Sequence, residues 1–220
     1  MLKYIFYTEL LLNLRRSHTW MYPLIFFLIV ISLFPLAFTP DPKFLSNYIS
    51  GCIWIAALFA SLLSIENIFL ADLEDNHLEQ IILSTAPLSF IIYIKLFTQW
   101  LITQVPLILL TPCIGIAFHL NINTILILCM SLLLGTPILI LIGCLSVALT
   151  LGLRQAGMLI GLLTLPLLMP VVIFGVLITQ QMQAGLNIQG PLAFLAGILV
   201  LALTLIPFAI AHVLRISLDN

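Results

Sequence analysis

Charge is what this sequence lacks most. Of its 220 residues only 7% are Asp, Glu, Lys or Arg, while 63% are apolar; soluble domains carry about 25% charged and about 45–50% apolar residues. So few charges cannot solvate a folded surface in water, so the surface must face lipid. A soluble enzyme, a disordered tail and a free nucleic-acid binder are excluded. Seven Lys and Arg stand against eight Asp and Glu, which leaves no basic field to gather phosphate. Clustered cysteine is missing too. Cys52, Cys113, Cys129 and Cys144 stand singly in apolar runs with no CxxC pair, so they read as small buried hydrophobes rather than a disulfide framework or a zinc site.

Signatures of catalysis and energy coupling are also wanting. Lys3, Lys43 and Lys95 follow Leu, Pro and Ile, so no GxxxxGK[ST] loop is present to cradle a nucleotide. There is no GxSxG and no HExxH. His18, His77, His119 and His212 fall at or near the ends of apolar runs or in loops, not mid-membrane where a proton relay or paired haem ligands would sit. The apolar runs hold almost no charge, whereas ion-coupled transporters need midplane carboxylates or broken helices. The chain is therefore expected to be no enzyme and to hold no metal or cofactor of its own.

What the sequence does have is long apolar runs. A hydrocarbon core about 30 Å thick needs about 20 helical residues, and six runs qualify, at about 22–38, 48–70, 96–118, 124–151, 158–179 and 192–214. Backbone polar groups in lipid must be satisfied within the segment, so these runs are helices. They do not alternate in polarity, which excludes a β-barrel. The first run ends in Phe38-Thr39-Pro40-Asp41-Pro42, with no small-x-small cleavage site, and should remain as a span. The expectation is an all-α polytopic protein, residues 1–220 forming one membrane domain. Prolines 35, 106, 112, 137, 166, 170 and 207 lie inside the spans, where neighbouring helices re-satisfy the carbonyls they free. Gly157 and Gly161 form a GxxxG pair, a spacing that lets helices approach closely.

Positive charge sets the orientation. With the N-terminus in the cytoplasm, Lys3, Arg15, Arg16, Lys95, Arg154 and Arg215 lie inside and only Lys43 lies outside. Six spans then put both termini in the cytoplasm, with short outer loops at 39–47, 119–123 and 180–191. Residues 2–16 are helical in pattern but too short to span. Glu9, Asn13 and Arg16 make one narrow polar stripe, as expected of a helix lying in the cytoplasmic interface.

Polarity concentrates in residues 66–95. Glu66, Asp72, Glu74, Asp75 and Glu79 are five of the eight acidic residues. Asn76 with Glu79 resembles a capping box; Leu78, Ile81 and Ile82 follow at helical spacing, and Pro87 closes the pattern. A short amphipathic helix over about 77–85 is expected on the cytoplasmic side. Interfacial helices generally carry Lys and Arg for anionic lipid, but this one carries acid. A protein partner with a basic groove is the better match, contacted by Asp72, Glu74, Asp75, Leu78, Glu79, Ile81 and Ile82. Glu66 sits near the end of the second span, as a solvated interfacial carboxylate or paired with Arg154 or Lys95 at the cytoplasmic mouth. A polytopic chain with no energy site but an acidic cytoplasmic helix suits the membrane half of a two-part machine.

Several segments resemble the cytochrome c maturation protein B family (CcmB). They are Leu28-Ile29-Val30-Ile31-Ser32-Leu33-Phe34-Pro35-Leu36, Ile53-Trp54-Ile55-Ala56-Ala57-Leu58, Asp72-Leu73-Glu74-Asp75-Asn76-His77-Leu78-Glu79-Gln80, Leu134-Gly135-Thr136-Pro137 and Leu214-Arg215-Ile216-Ser217. The family usually has Gly-Ser where this chain has Asn76-His77. The resemblance implies an ABC-2 type permease in a bacterial inner membrane, with the short cytoplasmic helix as its coupling helix. It implies ATP bound by a partner ATPase, the cytochrome c maturation A protein, with two copies of each subunit. It also implies the haem-handling C and D subunits and the haem chaperone E as partners. The task it implies is haem export, with haem as cargo, or release of the haem-loaded chaperone, in c-type cytochrome biogenesis. Export of another lipid, glycan or drug, and a non-transport assembly scaffold, remain open on the residues alone.

Overall fold

A computed structural model describes residues 2–15, 17–37, 42–65, 68, 88–150 and 156–218. These form seven helices and no strand among the described residues: α1 (Leu2–Arg15), α2 (Ser17–Ala37), α3 (Pro42–Ile65), α4 (Leu88–Ala117), α5 (Ile122–Thr150), α6 (Ala156–Gln183) and α7 (Gln189–Leu218). Helices α2 to α7 each contain a stretch long and apolar enough to cross a membrane, so the chain is an all-α, multi-pass membrane protein. At about 1.5 Å per residue, α4 and α7 are each about 45 Å long, longer than the hydrocarbon is thick, so they tilt or extend into the interface.

The sequence pattern found all six spans, but their ends differ. The second begins at Pro42 rather than 48, because proline suits a first helical turn whose N–H groups have no partner anyway. The third begins at Leu88 rather than 96. Lys95 does not end the apolar run; it is taken into the helix and buried, 7% exposed, so one cation does lie within a span. The sixth runs from Gln189 to Leu218, which shortens the loop placed at 180–191 to residues 184–188. The interior prolines, Pro23 among them, stand within continuous helices.

Helix α5 is the hub, packing against α3, α4, α6 and α7, while α1 touches only α2 and α4. The spans of α3 and α5 have 61% and 56% of their residues buried, against 17% for α2 and 28% for α7. The contiguous apolar core is built around Trp54, Phe27, Ile49, Ile53, Ile65, Leu107, Leu128 and Leu132. The outer surface is apolar as well, with Leu109, Ile116, Leu162, Leu167, Val200 and Leu205 exposed. Such a surface is unsuited to water but natural in lipid. Helix α1 follows the same logic: Tyr7, Leu11, Leu12 and Leu14 are exposed whereas Glu9 and Asn13 are partly covered. Its apolar face is the one available to lipid.

Polar side chains turn inward and are mostly answered by their own helix. The hydroxyls of Ser61, Thr103, Thr111, Ser146 and Thr164 donate to the carbonyls of Ala57, Gln99, Leu107, Ile142 and Ile160, one turn back, which satisfies a hydroxyl without water. Two turns are closed by the backbone alone. Leu120 N–H donates to Gly115 O at 2.9 Å and His119 N–H to Ile116 O at 3.1 Å, with His119 left-handed at φ 57°. Leu186 N–H donates to Gln181 O at 2.8 Å and Gly185 N–H to Met182 O at 3.2 Å, with Gly185 at φ 69°. Both are Schellman closures.

Candidate functional site

Two of the segments singled out in the sequence meet in the bundle core. Trp54, from Ile53-Trp54-Ile55 on α3, is fully buried. Its indole lies between Gly135 of α5 and Gly175 of α6, where a Cβ on either glycine would collide with the ring. The slot exists because both glycines lack a side chain; Gly135 belongs to Leu134-Gly135-Thr136-Pro137. The next residue, Thr136, accepts a hydrogen bond at 2.9 Å from Trp100 Nε1 of α4. One short stretch of α5 therefore receives tryptophans from two neighbouring helices. Trp54 Nε1 is buried with no hydrogen-bond partner among the described residues.

A second cluster lies at the end of the bundle where α3 stops and α4 starts. Ser64 is in the last turn of α3, whose final carbonyls have no partner within the helix. Gln99 of α4 reaches across and donates from Nε2 to Ser64 O at 2.6 Å, both groups buried. Ile65 packs onto Gly143 of α5, close enough that a Cβ there would strike its side chain. Lys95, one helical turn from Gln99 and on the same face of α4, is also buried. The cluster thus ties the last turn of α3, the first half of α4 and Gly143 of α5 together.

Aromatic packing brings α1 to this end. Phe6 and Phe97 have ring centroids 6.2 Å apart, and Phe97 and Trp100 5.8 Å apart. Beside them a crevice of about 430 Å³ is lined by Phe6, Phe97, Trp100, Pro137 and Leu203 among others. Tyr93 OH donates to Leu203 O, joining α4 to α7.

The residues proposed from sequence for partner contact, Asp72, Glu74, Asp75, Leu78, Glu79, Ile81 and Ile82, lie outside the described residues, as do Glu66 and Arg154. Among the described residues Gly161 of the Gly157/Gly161 pair meets no close helix. A Cβ placed on Gly161 would have no neighbouring atom within 4 Å, and both glycines border an open crevice with Phe26, Phe59, Leu62 and Leu63. The close approaches are at Gly135, Gly143 and Gly175 instead. Sequence reading passed over Gln99, and took Lys95 only as an inside charge and a candidate partner for Glu66. The available signal was their i, i+4 spacing in an apolar run, which marks one face of a helix carrying groups that need partners. Among the described residues no three His, Cys, Asp or Glu gather where they could hold a metal ion.

The family model described as CcmB protein matches residues 1–217. The chain belongs to the CcmB family. It is 47% identical over 214 residues to the heme exporter protein B of Haemophilus influenzae, covering 96% of each chain. It is 44% identical over 212 residues to that of Pseudomonas aeruginosa, covering 96% of this chain and 95% of the relative. It is 41% identical over 215 residues to that of Escherichia coli K12, covering 98% of each. The matched region spans the Trp54 slot, the α3–α4–α5 junction and the acidic segment alike.

Proposed function

We propose that this chain is the permease subunit of a haem-export complex serving c-type cytochrome assembly, with haem as cargo and ATP hydrolysed by a separate subunit. The observation that carries the reading is the near full-length similarity to proteins named heme exporter protein B. Six apolar helices supply the membrane part, and the sequence offers no phosphate loop for ATP. The complex would sit in a bacterial inner membrane, with both termini and the 66–87 segment in the cytoplasm, on the strength of the six-to-one Lys/Arg distribution.

The division of labour gives the acidic segment its task. In this reading Leu78, Ile81 and Ile82 enter a groove of the ATPase subunit, the cytochrome c maturation A protein, while Asp72, Glu74, Asp75 and Glu79 meet basic residues at its rim. The apolar anchors hold the partner, and the charges govern association rate and salt dependence. Two copies of each subunit, the C and D subunits and the haem chaperone E complete the assembly, and Glu66 pairs with Arg154 or Lys95 at the cytoplasmic mouth.

The test is replacement. Expressed in a bacterium that lacks its own member of this family, the chain should restore covalent haem attachment to c-type cytochromes and co-purify with the ATPase subunit. Co-purification without restored cytochromes would favour export of another molecule. Restoration without any associated ATPase would overturn the two-part machine.

A further inference from the structure

The cluster where α3, α4 and α5 meet has no part in the function described so far beyond the pairing of Lys95 offered to Glu66, yet it is built at a cost. A lysine and a glutamine are buried in a membrane bundle, where charged and amide groups are expensive and are retained for a reason. Gln99 spends its amide on the end of another helix, at 2.6 Å from Ser64 O. Lys95 is buried one turn away on the same face of α4. Ile65, the last residue of α3, is seated on Gly143. In the chain residues 66–87 follow directly on Ser64 and Ile65 and precede the helix that carries Lys95 and Gln99 in its first half. A displacement of that segment therefore meets α3 and α4 joined to each other and to α5, not two independent helix ends.

From Gly143 the same helix runs on to Gly135 and Thr136, about 12 Å away at about 1.5 Å per residue. There Trp54 and Trp100 engage it. Helix α5 packs against four other spans, so whatever moves α5 moves the bundle. Coupling through such a chain of contacts requires that both ends bias one element, and α5 is the element shared here.

We propose that Lys95 and Gln99 are positioning residues of a transmission junction. They lock the end of α3 and the start of α4 onto α5, so that motion delivered to residues 66–87 by the ATPase subunit reaches the Trp54 slot. This rests on the two-part machine proposed above. It concerns how force is passed on, not how the partner is bound.

The experiment uses the permease in complex with its ATPase subunit and compares Lys95→Met, Gln99→Met, Lys95→Arg and Gln104→Met. Gln104 is also fully buried on α4 but has no hydrogen-bond partner among the described residues, so it controls for loss of a buried amide as such. Three quantities are read: ATPase retained on the purified complex, its ATP hydrolysis rate, and c-type cytochrome assembled in cells at matched membrane levels of the permease. Lys95→Met and Gln99→Met should keep the ATPase and its hydrolysis while cytochrome assembly falls about tenfold, a loss in the range of measured site-to-site couplings. Lys95→Arg should recover much of it, and Gln104→Met should behave as the parent. The proposal is overturned if Lys95→Met and Gln99→Met assemble cytochrome at the parental level, or if Gln104→Met is as defective as they are. It is overturned equally if both methionine variants vanish from the membrane, which would make the pair a folding element. Loss of ATPase binding in the parent complex would instead strike the two-part machine itself.

Discussion

The two ends of the helix bundle are closed by different chemistry. At one end α4 passes to α5 and α6 to α7 through turns of a few residues, sealed by backbone hydrogen bonds with His119 and Gly185 in left-handed conformations. At the other end α3 and α4 are separated by residues 66–87, and the last turn of α3, besides the backbone bond from Ile68 N–H to Ile65 O at 3.1 Å, is capped by a side chain from another helix, Gln99. A backbone closure is local and holds whatever the neighbours do. A side-chain cap between helices holds only while the two helices keep their register, so it makes one end of the bundle responsive to what is attached there. In the chain the acidic segment lies between the two helices joined by that cap.

The contrast between the ends loses its meaning if they are assigned to the wrong sides of the membrane, so orientation has the largest expected effect. A reporter active only outside the cytoplasm, fused after Asn220, should be silent in whole cells; a strong signal would turn the bundle over and remove the acidic segment from any cytoplasmic partner. Next comes the core that joins the ends. Trp54→Ala should destabilise the purified protein by about 3–5 kcal/mol, the range for emptying a packed aromatic site. Its thermal midpoint should fall clearly, and an unchanged midpoint would mean that the indole is not held between Gly135 and Gly175.

Smaller effects separate the two kinds of closure. Gln99→Leu strands the buried Ser64 carbonyl, which should cost about 1–3 kcal/mol, measured as a lower denaturation midpoint in detergent. Gly185→Ala forces a side chain into a left-handed position and should cost about 1–2 kcal/mol, whereas His119→Gly relieves the same strain and should leave the midpoint unchanged or raised. If Gln99→Leu is silent while Gly185→Ala is costly, the two ends are closed by the backbone alike. Gly161→Ala, at a position facing open space, should shift the midpoint by less than about 0.5 kcal/mol.

Much of this fold is legible in hydropathy because lipid removes the alternatives: an apolar run of sufficient length can only be a helix. Length and composition therefore located all six spans. They did not locate the helix starts at Pro42 and Leu88, since helix continuation through Lys95 depends on its burial in the folded bundle. The same limit explains Gly157 and Gly161. Their GxxxG spacing is visible in one helix, but close approach requires a second helix opposite, and the structure puts Trp54 against Gly135 and Gly175 instead. Gln99 is invisible as a cap for the same reason, because its partner is 35 residues away in the chain. The helix expected over 77–85 rests on local pattern alone, a cap, an apolar face and a concentration of acid, and lies outside the described residues.

That helix decides whether the loop-bearing end is where an ATPase docks. The decisive measurement is retention of the ATPase subunit on the membrane-inserted chain carrying Leu78→Ala with Ile82→Ala, across a series of salt concentrations and alongside Glu79→Gln. The double variant should release the ATPase at every salt concentration, since truncating central apolar anchors often costs more than about 1 kcal/mol each. Glu79→Gln should weaken retention modestly and flatten its salt dependence. Retention of the ATPase by the double alanine variant as firmly as by the parent, at every salt concentration, would contradict docking at this end.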